Sequence, residues 1–411
     1  MPSVKEKYLY TSIVPHFFKL VYNLLLFFPF ITIFIDLRQK ICHNIFENTC
    51  GKVIALRIEE IDKNLKIVSA LDLEDVVWFD VRKAPFKIYG LLPPQENDRF
   101  RRMPEEVAKS INEGVYALHD NTAGGRVRFH TDSPYVAIKT EQKNTGLMGH
   151  LTKVGQSGLD LYISRNCEKF TFKGSFVPAA SATDGFETYV TFSEGGMPTD
   201  CEINLPNYDN LINLYVGIKK GSTLDSAREY KYTTPVLFLG SSITQGGCAS
   251  RPGNGYVNMI SRDLDTDVVN LGFSGSCRGE FEMADYIIKQ PMSVFVYDYD
   301  HNAPIPEHLW ATHEPFFKRF RAARPTVPVV FINKPDWIND PGAEKRRAAV
   351  MNTYNNAVAS GDKNVYFIDG KTLWGGENPN DCTVDGCHPN DLGFFRMAQK
   401  IGAVLKEILE K

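Results

Sequence analysis

Ser242 stands in the run Gly240-Ser-Ser-Ile-Thr-Gln-Gly246, directly after the apolar stretch Pro235-Val-Leu-Phe-Leu239. Small residues at the end of a buried strand permit a sharp turn into a helix. Such a turn exposes a side-chain hydroxyl and leaves backbone N–H groups free to meet an anion. A serine so placed is suited to nucleophilic attack if an imidazole takes its proton and an acceptor holds that imidazole in one tautomer. Asp385 and His388, in Thr383-Val-Asp-Gly-Cys-His-Pro-Asn390, supply such a pair about 140 residues downstream. Three residues apart on one turn, they can share a side of the chain. An isolated Asp-x-x-His before a proline reads first as a helix N-cap with a surface histidine. The serine at a strand end upstream reverses that preference.

These residues need a frame that brings them together, and the chain from Pro235 onward has the pattern of one. Apolar runs at Val236–Leu239, Val268–Gly272, Ser293–Tyr297, Val327–Ile332 and Val365–Ile368 alternate with amphipathic stretches at Tyr256–Leu264, Phe281–Lys289, His308–Arg321, Ala343–Ala359 and Leu392–Leu409. Short apolar strands alternating with longer helices predict βαβ units, hence a parallel sheet covered on both faces. Ligands bind such sheets outside the carboxyl ends of the strands. Ser242, Gly275 and Asn302 fall at three successive strand ends.

From about Thr233 to the C-terminus the sequence resembles the SGNH hydrolases, the superfamily that includes the GDSL esterases. Gly240-Ser-Ser-Ile-Thr244 matches the first motif with Ser242 as nucleophile, and Ser241 replaces the usual aspartate. Asn270-Leu-Gly-Phe-Ser-Gly275 matches the second, with Gly275 as backbone oxyanion donor, and Asp385-Gly-Cys-His388-Pro matches the acid and base. The third block departs from the family: Asp298-Tyr-Asp-His-Asn302-Ala-Pro stands in place of Gly-x-Asn-Asp, with Asn302 as the match for the side-chain oxyanion donor. The resemblance implies a flavodoxin-like three-layer αβα domain with five parallel strands. It also implies acyl transfer from an ester through Ser242, His388 and Asp385, with Ser242, Gly275 and Asn302 forming the oxyanion hole. No metal or organic cofactor is required. Arg278 is a candidate substrate contact, with pairing to Glu280 or Glu282 as the alternative.

Upstream the pattern changes. Period-two runs such as Arg126-Val-Arg-Phe-His-Thr131, Tyr135-Val-Ala-Ile-Lys-Thr140, Leu159-Asp-Leu-Tyr-Ile-Ser164, Phe170-Thr-Phe-Lys-Gly-Ser175, Tyr189-Val-Thr-Phe192 and Glu202-Ile-Asn-Leu-Pro206 are separated by Gly, Asn, Asp and Ser clusters. They predict an antiparallel sandwich or jelly roll. The expected organisation is an extension over 1–74, a β-sandwich domain over 75–232 and a hydrolase domain over 233–411. Some bacterial SGNH esterases carry such a β-domain beside carbohydrate substrates, so glycan positioning and simple walling of the cleft are the two roles open to it.

The remaining signals exclude more than they assign. A net charge of −3 and a pI near 6.3 argue against a general nucleic-acid binder. The eight cysteines lack CxxC pairing, so a zinc ribbon is not expected; Cys382 and Cys387 bracket the acid as either a disulfide or free thiols. His301, His308 and His313 recur near Asp298 and Asp300, but His308 and His313, five apart, do not share a helix face and read as packing or surface residues. Lys318, Arg319, Arg321 and Arg324 read as the end of a helix whose apolar face is Leu309, Phe316, Phe317 and Phe320. The apolar segment 13–35 approaches the ~20 residues that span a bilayer, yet Lys19, Asn23 and Pro29 interrupt it. It leaves a membrane anchor or a misassigned start open, hence membrane-anchored or cytoplasmic localisation. The reading is a serine esterase that removes short acyl groups, acetyl above all, from a carbohydrate or similar polar substrate. A glycan-binding protein with a vestigial fold and an acyltransferase are the alternatives.

Overall fold

The computed structural model describes residue 62 and residues 73–95, 98–143, 147–192, 196–336 and 338–411. The apolar segment 13–35, and with it the expected membrane contact, lies outside the described residues. Among the described residues no helix is long and apolar enough to cross a membrane.

Ten strands form the β-rich part: β1 (Val76–Asp80), β2 (Lys87–Tyr89), β3 (Arg126–Thr131), β4 (Tyr135–Lys143), β5 (Leu159–Ser164), β6 (Thr171–Phe176), β7 (Glu187–Thr191), β8 (Thr199–Asn204), β9 (Asn210–Lys219) and β10 (Leu224–Asp225). They build two antiparallel sheets, β1-β9-β4-β7 and β10-β3-β8-β5-β6, with β2 added against β3. Alternate residues point into one core: Val127, Phe129, Leu159, Leu161, Cys201 and Ile203 meet Val136, Ile138, Leu214, Val216 and Ile218. This is the period-two burial of packed sheets. The longest strand, β9, pairs with both β1 and β4, although Asn210, Asn213 and Gly217 give it the composition of a loop. At Gly217 a Cβ would lie 2.9 Å from the Trp78 ring, so the glycine makes room for the indole.

Five parallel strands follow: β11 (Tyr232–Gly240), β12 (Thr266–Gly272), β13 (Val294–Asp298), β14 (Val329–Ile332) and β15 (Val365–Ile368), in the order β12-β11-β13-β14-β15. This is the doubly wound arrangement whose ligand site opens where the strand order reverses, beside β11 and β13. Along β11, Val236 and Phe238 face one core while Leu237 and Leu239 face the other. Among the described residues three short helices precede this sheet, α1 (Glu105–Ile111), α2 (Glu113–Leu118) and α3 (Lys153–Ser157), and six follow its first strand: α4 (Ser242–Gln245), α5 (Tyr256–Leu264), α6 (Phe281–Ile288), α7 (Pro306–Ala323), α8 (Ala343–Ala359) and α9 (Asp391–Leu409). Helices α5 and α9 cover the first face, α6, α7 and α8 the second. Ala108, Ile111 and Val115 of α1 and α2 join the second core beside Leu271 and Met283. Helices α1 and α2 are thus built into the α/β layers, whereas Asn121 after them bridges Asn210 of β9 and belongs with the β-rich part.

Candidate active site

Chain geometry forces the turn at Ser242. At Gly240, the last residue of β11, a Cβ would fall 1.9 Å from Thr244 Oγ1, and at Gly272, the last of β12, one would fall 2.3 Å from Gln245 N. Only glycine lets α4 sit this close to the strand ends. Ser241 Oγ accepts from Ile243 N at 3.2 Å, so the residue in place of the family's aspartate serves as N-cap. Ser242 is partly exposed, while Ser241, Ile243, Thr244 and Gln245 around it are buried. Its carbonyl accepts from Gly247 N at 2.8 Å and from Tyr208 Oη at 3.1 Å.

The acid–base loop is organised by its own backbone. Thr383 and Pro389 form an isolated antiparallel bridge, Val384 N donates to His388 O at 2.9 Å, and Asn390 caps α9 by accepting from Gly393 N at 3.1 Å. Within this turn Asp385 Oδ1 accepts from the backbone N–H of His388 (2.7 Å) and of Cys387 (3.0 Å), and Asp385 Oδ2 lies 2.7 Å from His388 Nδ1. His388 Nε2 lies 2.9 Å from Ser242 Oγ. Partial burial pushes the Asp385 carboxyl up, but the His388 and Cys387 N–H groups and the His388 ring outweigh it and hold it at about 2. Asp385 is therefore an anion at neutral pH, and Nδ1 facing it leaves Nε2 to accept a proton from Ser242.

Asn302 lies in the 3-10 turn after β13, buried, with its Nδ2 donating to Phe273 O at 2.9 Å and more distantly to Gly240 O at 3.4 Å. It stands among the ends of β11, β12 and β13. Gly275 has φ +64° with no atom within 4 Å of a Cβ position, so this glycine answers to backbone conformation and not to crowding. Arg278 is exposed, with its guanidinium folded onto Gly275 O at 3.1 and 2.8 Å, while its backbone N–H donates to Glu280 Oε2 at 2.7 Å.

The other histidines part company. His313 is buried, its ring stacked on Tyr297 and its Nδ1 2.8 Å from Thr353 Oγ1, and burial pulls its pKa down to about 3. His308 Nε2 reaches Arg278 O at 2.8 Å. His301 packs beside Asp336 (3.0 Å) and Cys387 (3.8 Å), a group with metal-ligand chemistry. Lys334 Nζ already lies 3.2 Å from Asp336, however, so a cation is supplied within the fold. Cys382 and Cys387 are free thiols, one against Arg396 and the other against His301. The basic run ends α7, where Leu309, Phe316, Phe317 and Phe320 are buried and Arg319 and Arg321 pair with Asp285 and Asp362.

Sequence reasoning passed over the residues that tie the β-rich part to the elbow. Asp160 of β5, fully buried, accepts from Arg251 (2.8 Å), Gly253 N (2.9 Å) and Asn204 (2.8 Å), fixing the loop that follows α4. Its signal was a carboxylate between leucines in Gly158-Leu-Asp-Leu-Tyr162. Gln245, also fully buried, bonds Asn121, Asn207 and Ser274.

A strand-end serine, a histidine on its hydroxyl and a doubly wound sheet beside a β-sandwich define an α/β hydrolytic fold of the SGNH type. Residues 233–406 match the GDSL-like Lipase/Acylhydrolase family, and residues 76–224 match the N-terminus of SGNH-hydrolase-type esterases. These two segments carry the N-terminal and catalytic parts of the GDSL-like SGNH esterases, a class of carboxylic ester hydrolases. No curated protein matches it significantly. Among solved structures it is similar to a protein from Bacteroides ovatus described as a GDSL-like lipase, with 28% identity and a TM-score of 0.74 over 82% of this chain and 98% of that one. A salicylyl-acyltransferase from a tetracycline biosynthetic pathway shares the fold at 20% identity and a TM-score of 0.65, over 81% of this chain and 98% of that one. A family two carbohydrate esterase from Clostridium thermocellum, in complex with cellohexaose, shares it at 14% identity and a TM-score of 0.51, over 70% and 93%.

Proposed function

We propose that the protein is a serine esterase that removes short acyl groups, acetyl above all, from a carbohydrate or similar polar ester. The observation that carries this reading is the unbroken chain Ser242 Oγ, His388 Nε2, His388 Nδ1, Asp385 Oδ2, with contacts of 2.9 and 2.7 Å. Ser242 Oγ attacks the ester carbonyl as its proton passes to His388 Nε2. The carbonyl oxygen becomes an oxyanion received by the N–H groups of Ser242 and Gly275 and by Asn302 Nδ2, whose second N–H makes only the long contact to Gly240 O. Each such donor typically lowers the barrier by roughly 3 kcal/mol. The intermediate collapses, and the leaving alcohol takes the proton from His388. Water then repeats the sequence on the acyl-enzyme, releasing the carboxylic acid and restoring Ser242.

The polar substrate is supported by the fold shared with family two carbohydrate esterases, one of them holding cellohexaose. The short acyl group is supported by the partly exposed position of Ser242 at the strand ends of the sheet. The shared fold of the salicylyl-acyltransferase supports a second reading, in which an alcohol replaces water as acceptor of the same acyl group. A panel of p-nitrophenyl esters and acetylated oligosaccharides, with and without added alcohol, tests both. Acetyl and propionyl esters should be cleaved far faster than octanoyl, acetate should appear from the oligosaccharides, and Ser242→Ala should be inert. A preference for octanoyl esters would reject the short-acyl reading, and product appearing only when alcohol is present would favour the transferase.

A further inference from the structure

The proposed oxyanion hole has one donor whose position its surroundings leave loose. Gly275 is exposed, lies at φ +64° and has nothing within 4 Å of its Cβ position, so packing does not fix the direction of its N–H. The turn must be held from its two ends. On the carbonyl side Arg278 clasps Gly275 O. On the amide side the preceding residue, Ser274, donates its backbone N–H to Gln245 Oε1 at 3.0 Å.

Gln245 is the last residue of α4, three after the nucleophile, and has no exposed surface. Its Nε2 donates to Asn207 O at 3.0 Å and to Asn121 Oδ1 at 3.2 Å, both contributed by the β-rich part of the chain. An amide has donors on nitrogen only and acceptors on oxygen only. With two acceptors facing one end, the amide has a single orientation, and its oxygen is turned to Ser274. A flipped amide would set oxygen against oxygen at Asn207 and Asn121 and nitrogen against nitrogen at Ser274. Tyr208, next to Asn207, donates to Ser242 O at 3.1 Å and also hydrogen-bonds Ser274. The same short segment therefore grips the nucleophile's helix and the turn after β12.

We infer that Gln245, oriented by Asn121 and Asn207, is a positioning residue that aims the Gly275 N–H at the developing oxyanion, so that the β-rich part completes the oxyanion hole. This role rests on the proposed Ser242 chemistry. It differs from glycan positioning, because it acts on every ester irrespective of what the alcohol is.

The test compares wild type with Gln245→Met, Gln245→Glu and Asn121→Ala in the full chain, using p-nitrophenyl acetate, active-site titration and inhibition by phenylboronic acid, whose tetrahedral boron adduct with the serine places a boronate oxygen in the hole. Gln245→Met keeps the volume and removes all three hydrogen bonds. It should lower kcat per titrated site by about 10–100-fold, below the full loss of a donor. KM should stay within about threefold, and boronate affinity should fall by the same factor as kcat, as expected for an interaction made mainly in the transition state. Gln245→Glu, neutral when buried, still offers an oxygen to Ser274 N and should recover part of the loss. Asn121→Ala should show the same pattern more weakly and stands in if Gln245→Met fails to fold. Wild-type kcat per titrated site in Gln245→Met or, if that protein does not fold, in Asn121→Ala overturns the inference. So does a fall in kcat with boronate affinity unchanged. A wild type that neither cleaves the ester nor binds the boronate would instead overturn the proposed esterase chemistry.

Discussion

The two halves of the candidate site are held in opposite ways. The elbow is buried around a partly exposed Ser242 and owes its shape to distant partners: Asn121, Asn207 and Tyr208 from the β-rich part, Gly272 of β12 against α4, and Asp160 of β5 on the loop that follows. The Asp385–His388 turn has a half-exposed ring and is shaped chiefly by hydrogen bonds within ten residues of itself, with Asn339 Nδ2 on Gly386 O as an outside tie. A nucleophile under tertiary control meets a base under local control. The division suits their tasks, since the serine and the oxyanion donors must share one fixed frame, whereas the ring needs only its orienting carboxylate and reach to Oγ.

The largest losses follow from removing the reacting groups. Ser242→Ala and His388→Ala should each cost about 10⁴-fold or more in kcat, and the double variant should fall no further than the worse single one, because members of a triad act as a unit. A double variant far below either would separate the two halves altogether. Asp385→Asn should cost up to about 10⁴-fold and should also lower the unfolding midpoint at neutral pH modestly, since the charged carboxylate is lost from the turn. The depressed Asp385 pKa stabilises the fold above the ordinary carboxylate range, a contribution lost as pH falls toward about 2. Between pH 4 and 8 the carboxylate stays ionised. Protonation of Asp385 therefore adds no limb to kcat/KM in that window, and a limb there that is lost in Asp385→Asn would contradict the depressed carboxyl.

Arg251→Ala probes the opposite half. It strips the cation from fully buried Asp160 and should destabilise the protein by about 3–5 kcal/mol, as broken buried pairs do. Chemical denaturation measures this, and a negligible change would show that the elbow does not depend on its distant tie. An effect of similar size, confined to a pH window, is expected at Asp298, where burial raises the carboxyl to about 7 although Tyr256 and Thr244 donate to it. A raised folded pKa means stability that is full below the ordinary carboxylate range and lost as pH rises toward 7. Asp298→Asn should flatten that loss, a few kcal/mol at about 1.4 kcal/mol per pK unit. An unchanged slope of unfolding midpoint against pH would mean that Asp298 does not titrate there.

What could be read in advance follows the same line between local and distant control. The α/β alternation showed itself because each parallel strand carries a short run of apolar residues, and Tyr256–Leu264, Ala343–Ala359 and Val365–Ile368 form the elements their patterns announce. Asp385 and His388 were legible because three residues fix their relation. β9 was not, since Asn213 and Gly217 hide a central strand whose glycine exists to admit Trp78. Nor were Gln245, Asn121 and Asn207, because a polar residue that acts across 38 or 124 positions of chain has the same local appearance as one that caps a turn.

Labelling with a fluorophosphonate followed by peptide mapping tests most directly whether Ser242 is the activated nucleophile. A single adduct on Ser242, abolished in Ser242→Ala and strongly slowed in His388→Ala, is the predicted result. An adduct on Ser241 or Ser274, or labelling of Ser242 at the same rate without His388, would contradict it.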